Sequence, residues 1–129
     1  MGHRILFLDV GDSCRGPMAA AWARHFGLDA DSAGTMPAEE LAAGAVAVMQ
    51  EVGVHLQGAP RHVEFSVLPH YDRIIALGPD VAGTDPGIPV HETWRVEDPV
   101  NQPLAIHRRV RDHLRQLVGT LADEAHAWA

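Results

Sequence analysis

Asp9, Arg15 and Asp98 are the residues of this 129-residue chain whose types and settings could do chemistry. Asp9 and Arg15 bracket the stretch Asp9-Val10-Gly11-Asp12-Ser13-Cys14-Arg15, which lies between an apolar run ending at Leu8 and an Ala-rich pattern at helical spacing. A glycine-containing turn from a strand into a helix aims backbone N–H groups and the positive helix end at one point, and Arg15 adds a full charge there. Val10, Gly11, Asp12, Ser13, Cys14 and Arg15 therefore form a candidate oxyanion cradle. Asp9 stands at its floor, with the wrong charge for holding a bare anion. Two like charges ~4 Å apart cost about 4 kcal/mol at an effective dielectric of roughly 20, which is about three decades of affinity. An ionised Asp9 is expected to pair with Arg15 and to accept loop N–H bonds itself, so that the loop stays ordered without a ligand.

The elements that must position this turn follow from the hydrophobic pattern. Arg4 to Asp9 contains the unbroken apolar run Ile5-Leu6-Phe7-Leu8, which predicts a central parallel strand covered on both faces. Pro17 fits the first turn of the next helix, Met18, Ala21, Trp22 and Phe26 repeat on one face, and Gly27 stops it. Leu28 to Ala33 reads as a second strand, Glu39 to Gln50 as a second helix, and Arg61 to Val67 has room for one short helix. Asp72 to Leu77 reads as a third buried strand, and Gly78 to Pro89, rich in Gly and Pro, as a loop. Pro89 to Trp94 reads as a fourth strand, and Pro103 to Ala125 as a last helix burying Leu104, His107, Val110, Leu114, Leu117, Val118 and Leu121. This alternation implies one α/β domain over residues 1–129, a three-layer sandwich around a four-stranded parallel sheet. Ligands of such sheets bind beyond the carboxyl ends of the strands, where the loop carrying Glu97-Asp98-Pro99 is expected to face the cradle.

A hydrophobic fraction of 47% with 21% charged residues suits a soluble protein, and no apolar run reaches membrane-spanning length. A net charge of −7 disfavours nucleic acid and acidic membranes as partners. Arg108, Arg109, Arg111 and Arg115 share their stretch with Asp112 and read as the solvated face of a helix. Nine histidines include no pair at metal-ligand spacing on one helix, so neither metal nor cofactor is expected. Cys14, the single cysteine, excludes an intramolecular disulfide and any relay needing two thiols. The start, Met1-Gly2-His3-Arg4, leads straight into a strand pattern too short for a signal peptide, and the cytoplasm is the expected location.

Asp9-Val-Gly-Asp-Ser-Cys-Arg-Gly-Pro-Met-Ala lines up without a gap on Cys-x-Gly-Asn-x-Cys-Arg-Ser-Pro-Met-Ala, and Ser32-Ala33-Gly34-Thr35, Tyr71-Asp72-Arg73-Ile74-Ile75 and Trp94 followed by Asp98-Pro99 fall in the matching order. On these motifs nearly the whole chain resembles the low-molecular-weight protein tyrosine phosphatases and their thioredoxin-coupled arsenate reductase relatives. The resemblance implies a thiolate nucleophile, an oxyanion-binding arginine and an aspartic acid that protonates the leaving group. Arg15 matches the arginine and Asp98 the general acid, but Asp9 stands where the nucleophilic cysteine belongs. Asp12 replaces the loop asparagine, and Gly16 replaces a serine whose hydroxyl helps stabilise the thiolate. Cys14 matches the second loop cysteine and is expected to be a small side chain packed under the loop. The relay cysteines that arsenate reductases carry after the third strand have no counterpart between Gly78 and Pro89.

Two functions remain open. The first is a phosphatase-like protein lacking cysteine-based activity, its cradle occupied by Asp9, that binds a phosphate-like oxyanion weakly, another small anion, or a protein partner. The alternative is a phosphomonoester hydrolase with Asp9 as nucleophile, helped by a divalent cation among Asp9, Asp12 and Asp98. Val100 and Asn101 follow the acid motif where tyrosine-specific members place aromatics, so a phosphotyrosine pocket is not supported. Trp94 is the nearest candidate wall residue and equally a candidate core residue, while Tyr71, as a phosphorylation target, and His91, near the crevice, are weaker readings than packing.

Overall fold

The structure is a computed structural model that describes residues 3–128; Met1, Gly2 and Ala129, at the ends of the expected 1–129 domain and in the N-terminal reading, lie outside the described residues. Strand β1 (Arg4–Asp9) runs inside a four-stranded parallel sheet, between β2 (Asp29–Gly34) and β3 (Arg73–Ala76), with β4 (Glu92–Thr93) beyond β3. Its unbroken apolar run reflects burial on both faces: Ile5 and Phe7 join a large core with helices α1 (Arg15–His25), α2 (Ala43–Glu51) and α4 (Leu104–Ala125). Leu6 and Leu8 join a smaller core beneath a 3₁₀ turn (Phe65–His70) and the short helix α3 (Pro79–Thr84). The expected three-layer α/β sandwich is therefore present, with one thick and one thin outer layer.

Helix α1 is buried along nearly its whole length because it lies between the sheet and α4, and the Trp22 indole N–H donates to the Arg111 carbonyl at 3.1 Å. Helix α4 buries the expected face, except that Leu104 in its first turn is exposed and Leu117 is only half-buried against the core. Three of the four arginines on α4 are stapled to the body of the protein. Arg108 and Arg111 grip Glu51 at 2.7 and 2.8 Å, and Arg109 grips Glu97 at 2.7 Å. Arg115 lies over the Trp22 ring. Trp94 is core, its ring 5.7 Å from that of Phe7. His91, by contrast, is exposed, and its Nδ1 accepts from the Ile74 amide, so it is held at the sheet edge rather than packed in the core.

Four boundaries differ from the sequence reading. Helix α2 starts at Ala43 rather than Glu39, because Thr35 to Ala42 instead donates backbone N–H groups to the carbonyls of the cradle loop: Thr35 to Asp9, Met36 to Val10, Ala38 to Gly11 and Ala42 to Ser13. The short helix expected over Arg61 to Val67 is a 3₁₀ turn displaced to Phe65–His70, since Arg61 to Val63 is extended and bridges to Gly34. The fourth strand narrows to two residues at the sheet edge. The stretch read as loop after β3 contains α3, for which Gly78-Pro79-Asp80 forms the start: Pro79 occupies the first helical turn and Asp80 follows it.

Candidate functional site

The strand order β2-β1-β3-β4 reverses direction between β1 and β3, and the crevice beyond their carboxyl ends is where the site forms. The chain leaving β1 turns through the cradle into α1; the chain leaving β3 turns through Gly78 into α3. Because the carbonyls of Asp9, Val10, Gly11 and Ser13 are tied to the Thr35–Ala42 segment on one side, the loop is fixed from behind. Gly34 makes this close approach possible, since a Cβ there would lie 2.4 Å from the Val10 carbonyl oxygen.

Asp9 and Arg15 meet inside this turn. Asp9 Oδ1 accepts from Arg15 Nε at 3.0 Å and from the Val10 amide at 2.9 Å, and lies 2.9 Å from Arg15 Nη2; Asp9 Oδ2 accepts from the Gly16 amide at 2.9 Å. Both side chains are buried. Burial pushes the Asp9 carboxyl above its usual range, against the pull of Arg15 and the two amides. Every one of these contacts is nonetheless a donor, so the ionised form is the one its surroundings are built to hold. The carboxylate pairs with Arg15, the contact expected of an ionised Asp9, and the amides it takes are those of Val10 and Gly16, the latter outside the stretch Val10 to Arg15.

Arg15 has acceptors for its whole guanidinium. Nη1 donates to the carbonyls of Leu77 at 2.8 Å and Val96 at 3.1 Å, and Asp80 is engaged fork to fork, Nη2 to Oδ2 at 2.9 Å and Nη1 to Oδ1 at 3.3 Å. Asp98 approaches from the loop after β4, with Oδ2 3.9 Å from Nη2, which places it across the crevice as expected, while Glu97 turns away to Arg109. Three carboxylates thus surround one arginine. Asp80 went unrecognised in the sequence because the Gly and Pro around it read as loop, although glycine, proline and an acid in succession is also a helix-start signature. Gly78, at φ 157°, is part of the same clasp, because a Cβ there would lie 2.2 Å from Asp80 Oδ1 and 2.6 Å from Arg15 Nη1.

The remaining cradle residues divide between lining and support. Val10 and Gly11 are half-buried; Ser13 is buried, and Cys14 is 1% exposed beneath the loop, with burial pushing its thiol up to about 12. A thiol held protonated at neutral pH is no nucleophile, in agreement with the packing role expected of it. Asp12, in the left-handed region at φ 51°, accepts from the Arg61 amide through Oδ2 at 2.9 Å, whereas its buried Oδ1 has no hydrogen-bond partner among the described residues. Burial pushes Asp12 up to about 6. Position 16 is free of a side chain where Asp12 needs the space: a Cβ on Gly16 would lie 2.8 Å from Asp12 Oδ1. Asp12 therefore supports the loop from behind, at the Arg61 segment.

Comparison with known proteins agrees with this architecture. Residues 4–86 match the family model "Low molecular weight phosphotyrosine protein phosphatase". The chain is 31% identical to a protein-arginine-phosphatase of Geobacillus stearothermophilus, with 96% of this chain and 97% of that one covered. It is 32% identical to an arsenate reductase of Bacillus subtilis (strain 168), with 85% and 88% covered. The solved structure of the YwlE arginine phosphatase from Geobacillus stearothermophilus superposes with a TM-score of 0.85 at 24% identity, covering 97% of this chain and 94% of that one. The chain belongs to the low molecular weight phosphotyrosine protein phosphatase family.

Proposed function

We propose that this chain is a non-hydrolysing member of its family, a binding protein whose oxyanion cradle is held closed by its own Asp9. The observation that carries this reading is the buried Asp9–Arg15 pair at the position and on the donors that an oxyanion would use. An incoming phosphate meets the carboxylates of Asp9, Asp80 and Asp98 within 3.9 Å of Arg15. Its affinity for the closed cradle is accordingly weak, and partners are a small anion able to displace Asp9 or a protein that reads the crevice surface. Cys14 offers no substitute nucleophile. The Asp-based hydrolase is less well supported, since Arg15 lies 2.9 Å from the carboxylate that would have to share a divalent cation.

The test is release of p-nitrophenolate from p-nitrophenyl phosphate by the purified protein, with and without Mg²⁺. The expected result is no release above the blank in either case. Turnover that disappears in Asp9→Ala would overturn the proposal, and turnover that also requires Mg²⁺ would establish the Asp-based hydrolase in its place.

A further inference from the structure

A second concavity, of about 480 Å³, opens on the thin side of the sheet, between β1, β2 and the segment from Arg61 to Tyr71. Its lining includes Arg4 at the start of β1, away from the carboxyl end that carries Asp9, and its volume is that of small-molecule sites. Leu6, Ala33, Val63 and Val67 supply an apolar floor and wall. The polar part is built around Asp31. Its Oδ2 accepts from the Tyr71 hydroxyl at 2.7 Å and from Arg4 Nη2 at 3.2 Å, while Oδ1 lies 3.6 Å from Arg24 Nη2 and 3.8 Å from Arg61 Nη2. Tyr71 is locked as a donor, burial and the adjacent Asp31 pushing its hydroxyl up to about 12.

Three arginines converge on one carboxylate that is already satisfied, in a chain whose net charge is −7. One of them, Arg4, also touches Asp29 through Nε at 3.4 Å. Arg4 keeps Nη1, and Arg61 keeps Nε and Nη1, without an acceptor among the described residues. The His62 Nδ1–H donates to the Val63 carbonyl, which leaves Nε2 open. Glu64, the other carboxylate of the lining, is exposed. Guanidinium forks above an apolar floor suit a planar anionic head attached to a small hydrophobic group.

We propose that this cavity is a binding site for a small organic anion, a carboxylate or phosphate head on a compact apolar body. The head lies between Arg4 and Arg61, and the body rests on Leu6 and Val63. The site is independent of the cradle reading, because Asp9 and Arg15 take no part in it.

The test is a ¹H–¹⁵N correlation titration of the intact protein with phenylphosphonate, with benzoate, and with inorganic phosphate. Saturable shifts at Val63, Val67 and Tyr71 with either organic anion, weaker by tenfold or more for inorganic phosphate, are expected, and whichever organic anion binds more tightly identifies the preferred head. Arg61→Ala removes the guanidinium but keeps the backbone N–H that holds Asp12, so it should weaken binding at least tenfold while leaving the fold intact. Asp9→Ala should change nothing at these residues. Shifts confined to residues 9–16, non-saturating shifts with both organic anions, or unchanged affinity in Arg61→Ala would overturn the proposal.

Discussion

Asp80 clasps Arg15 fork to fork, Nη2 to Oδ2 at 2.9 Å and Nη1 to Oδ1 at 3.3 Å, and so ties the helix after β3 to the turn after β1 across the switch point of the sheet. The exposures of the two partners differ: the Arg15 side chain is 2% exposed and that of Asp80 is 49% exposed. Water therefore screens the acid but not the base, and the clasp is open to competition from the solvent side. Arg15 in turn holds Asp80 below the usual carboxylate range, so the acid stays ionised at neutral pH.

Removing that acid should favour anions. Asp80→Ala takes away one negative charge beside Arg15 and leaves Asp9 in place. With half the side chain in water the gain is smaller than for a buried pair, and about tenfold tighter binding of inorganic phosphate is expected, or about 1.4 kcal/mol. Isothermal titration at low salt measures it. Equal affinity in the two proteins would show that Asp80 does not compete for the arginine.

Removing the base should cost stability. Arg15→Met leaves the Asp9 carboxylate buried with only the Val10 and Gly16 amides, and strips the Leu77 and Val96 carbonyls of a donor. Breaking one side of a buried pair typically costs about 3–5 kcal/mol. The double change Arg15→Met with Asp9→Leu should recover much of that loss, because no orphaned charge remains. Urea unfolding of the three proteins checks both statements, and a single change as harmless as the double one would contradict them.

Asp12 sets a pH dependence whose sign can be worked out. Its pKa is raised from 3.8 to about 6 in the folded protein, so between these values the folded chain holds a proton that the unfolded chain has lost. Stability must fall as pH rises through that window, by about 3 kcal/mol from this group. Asp12→Asn removes the ionisation and should make the protein more stable at pH 7 by roughly 1–3 kcal/mol. It should also flatten the slope between pH 4 and pH 6. Thermal unfolding across that range tests it, and an unchanged slope in the variant would assign the titration elsewhere.

The legible parts of this chain were those with local causes. The apolar run before Asp9, the Pro17 helix start and the α4 stripe each announce an element through its own periodicity, and the Asp9–Arg15 contact follows from opposite charges confined to one turn. What stayed hidden depends on partners far along the chain. Thr35 to Ala42 has helix-forming residues, but the N–H groups of Thr35, Met36, Ala38 and Ala42 are claimed by the carbonyls of Asp9, Val10, Gly11 and Ser13, far back along the chain, and no local propensity reports that. Asp80 likewise acquires its role only when β3 is placed beside β1, 65 residues from Arg15.

Asp9→Cys tests how much of the family's machinery survives behind this one substitution. The smaller thiol would vacate the oxyanion space and free the Gly16 amide, while Arg15 Nε and that amide, now facing sulfur, would favour its thiolate. Asp98 already stands 3.9 Å from Arg15 on the opposite wall, at the position the family resemblance would assign to a general acid. The absent part is the hydroxyl at position 16, which Asp12 Oδ1 now blocks. Slow hydrolysis of p-nitrophenyl phosphate is therefore expected from Asp9→Cys, beginning with a burst of up to one equivalent of p-nitrophenolate per chain. Adding Asp98→Asn should lower the rate of burst formation by about 10²-fold or more, the usual contribution of a positioned acid. A thiol variant that binds phosphate tightly yet shows no burst would mean that Gly16 and Asp12, rather than Asp9 alone, separate this site from hydrolysis.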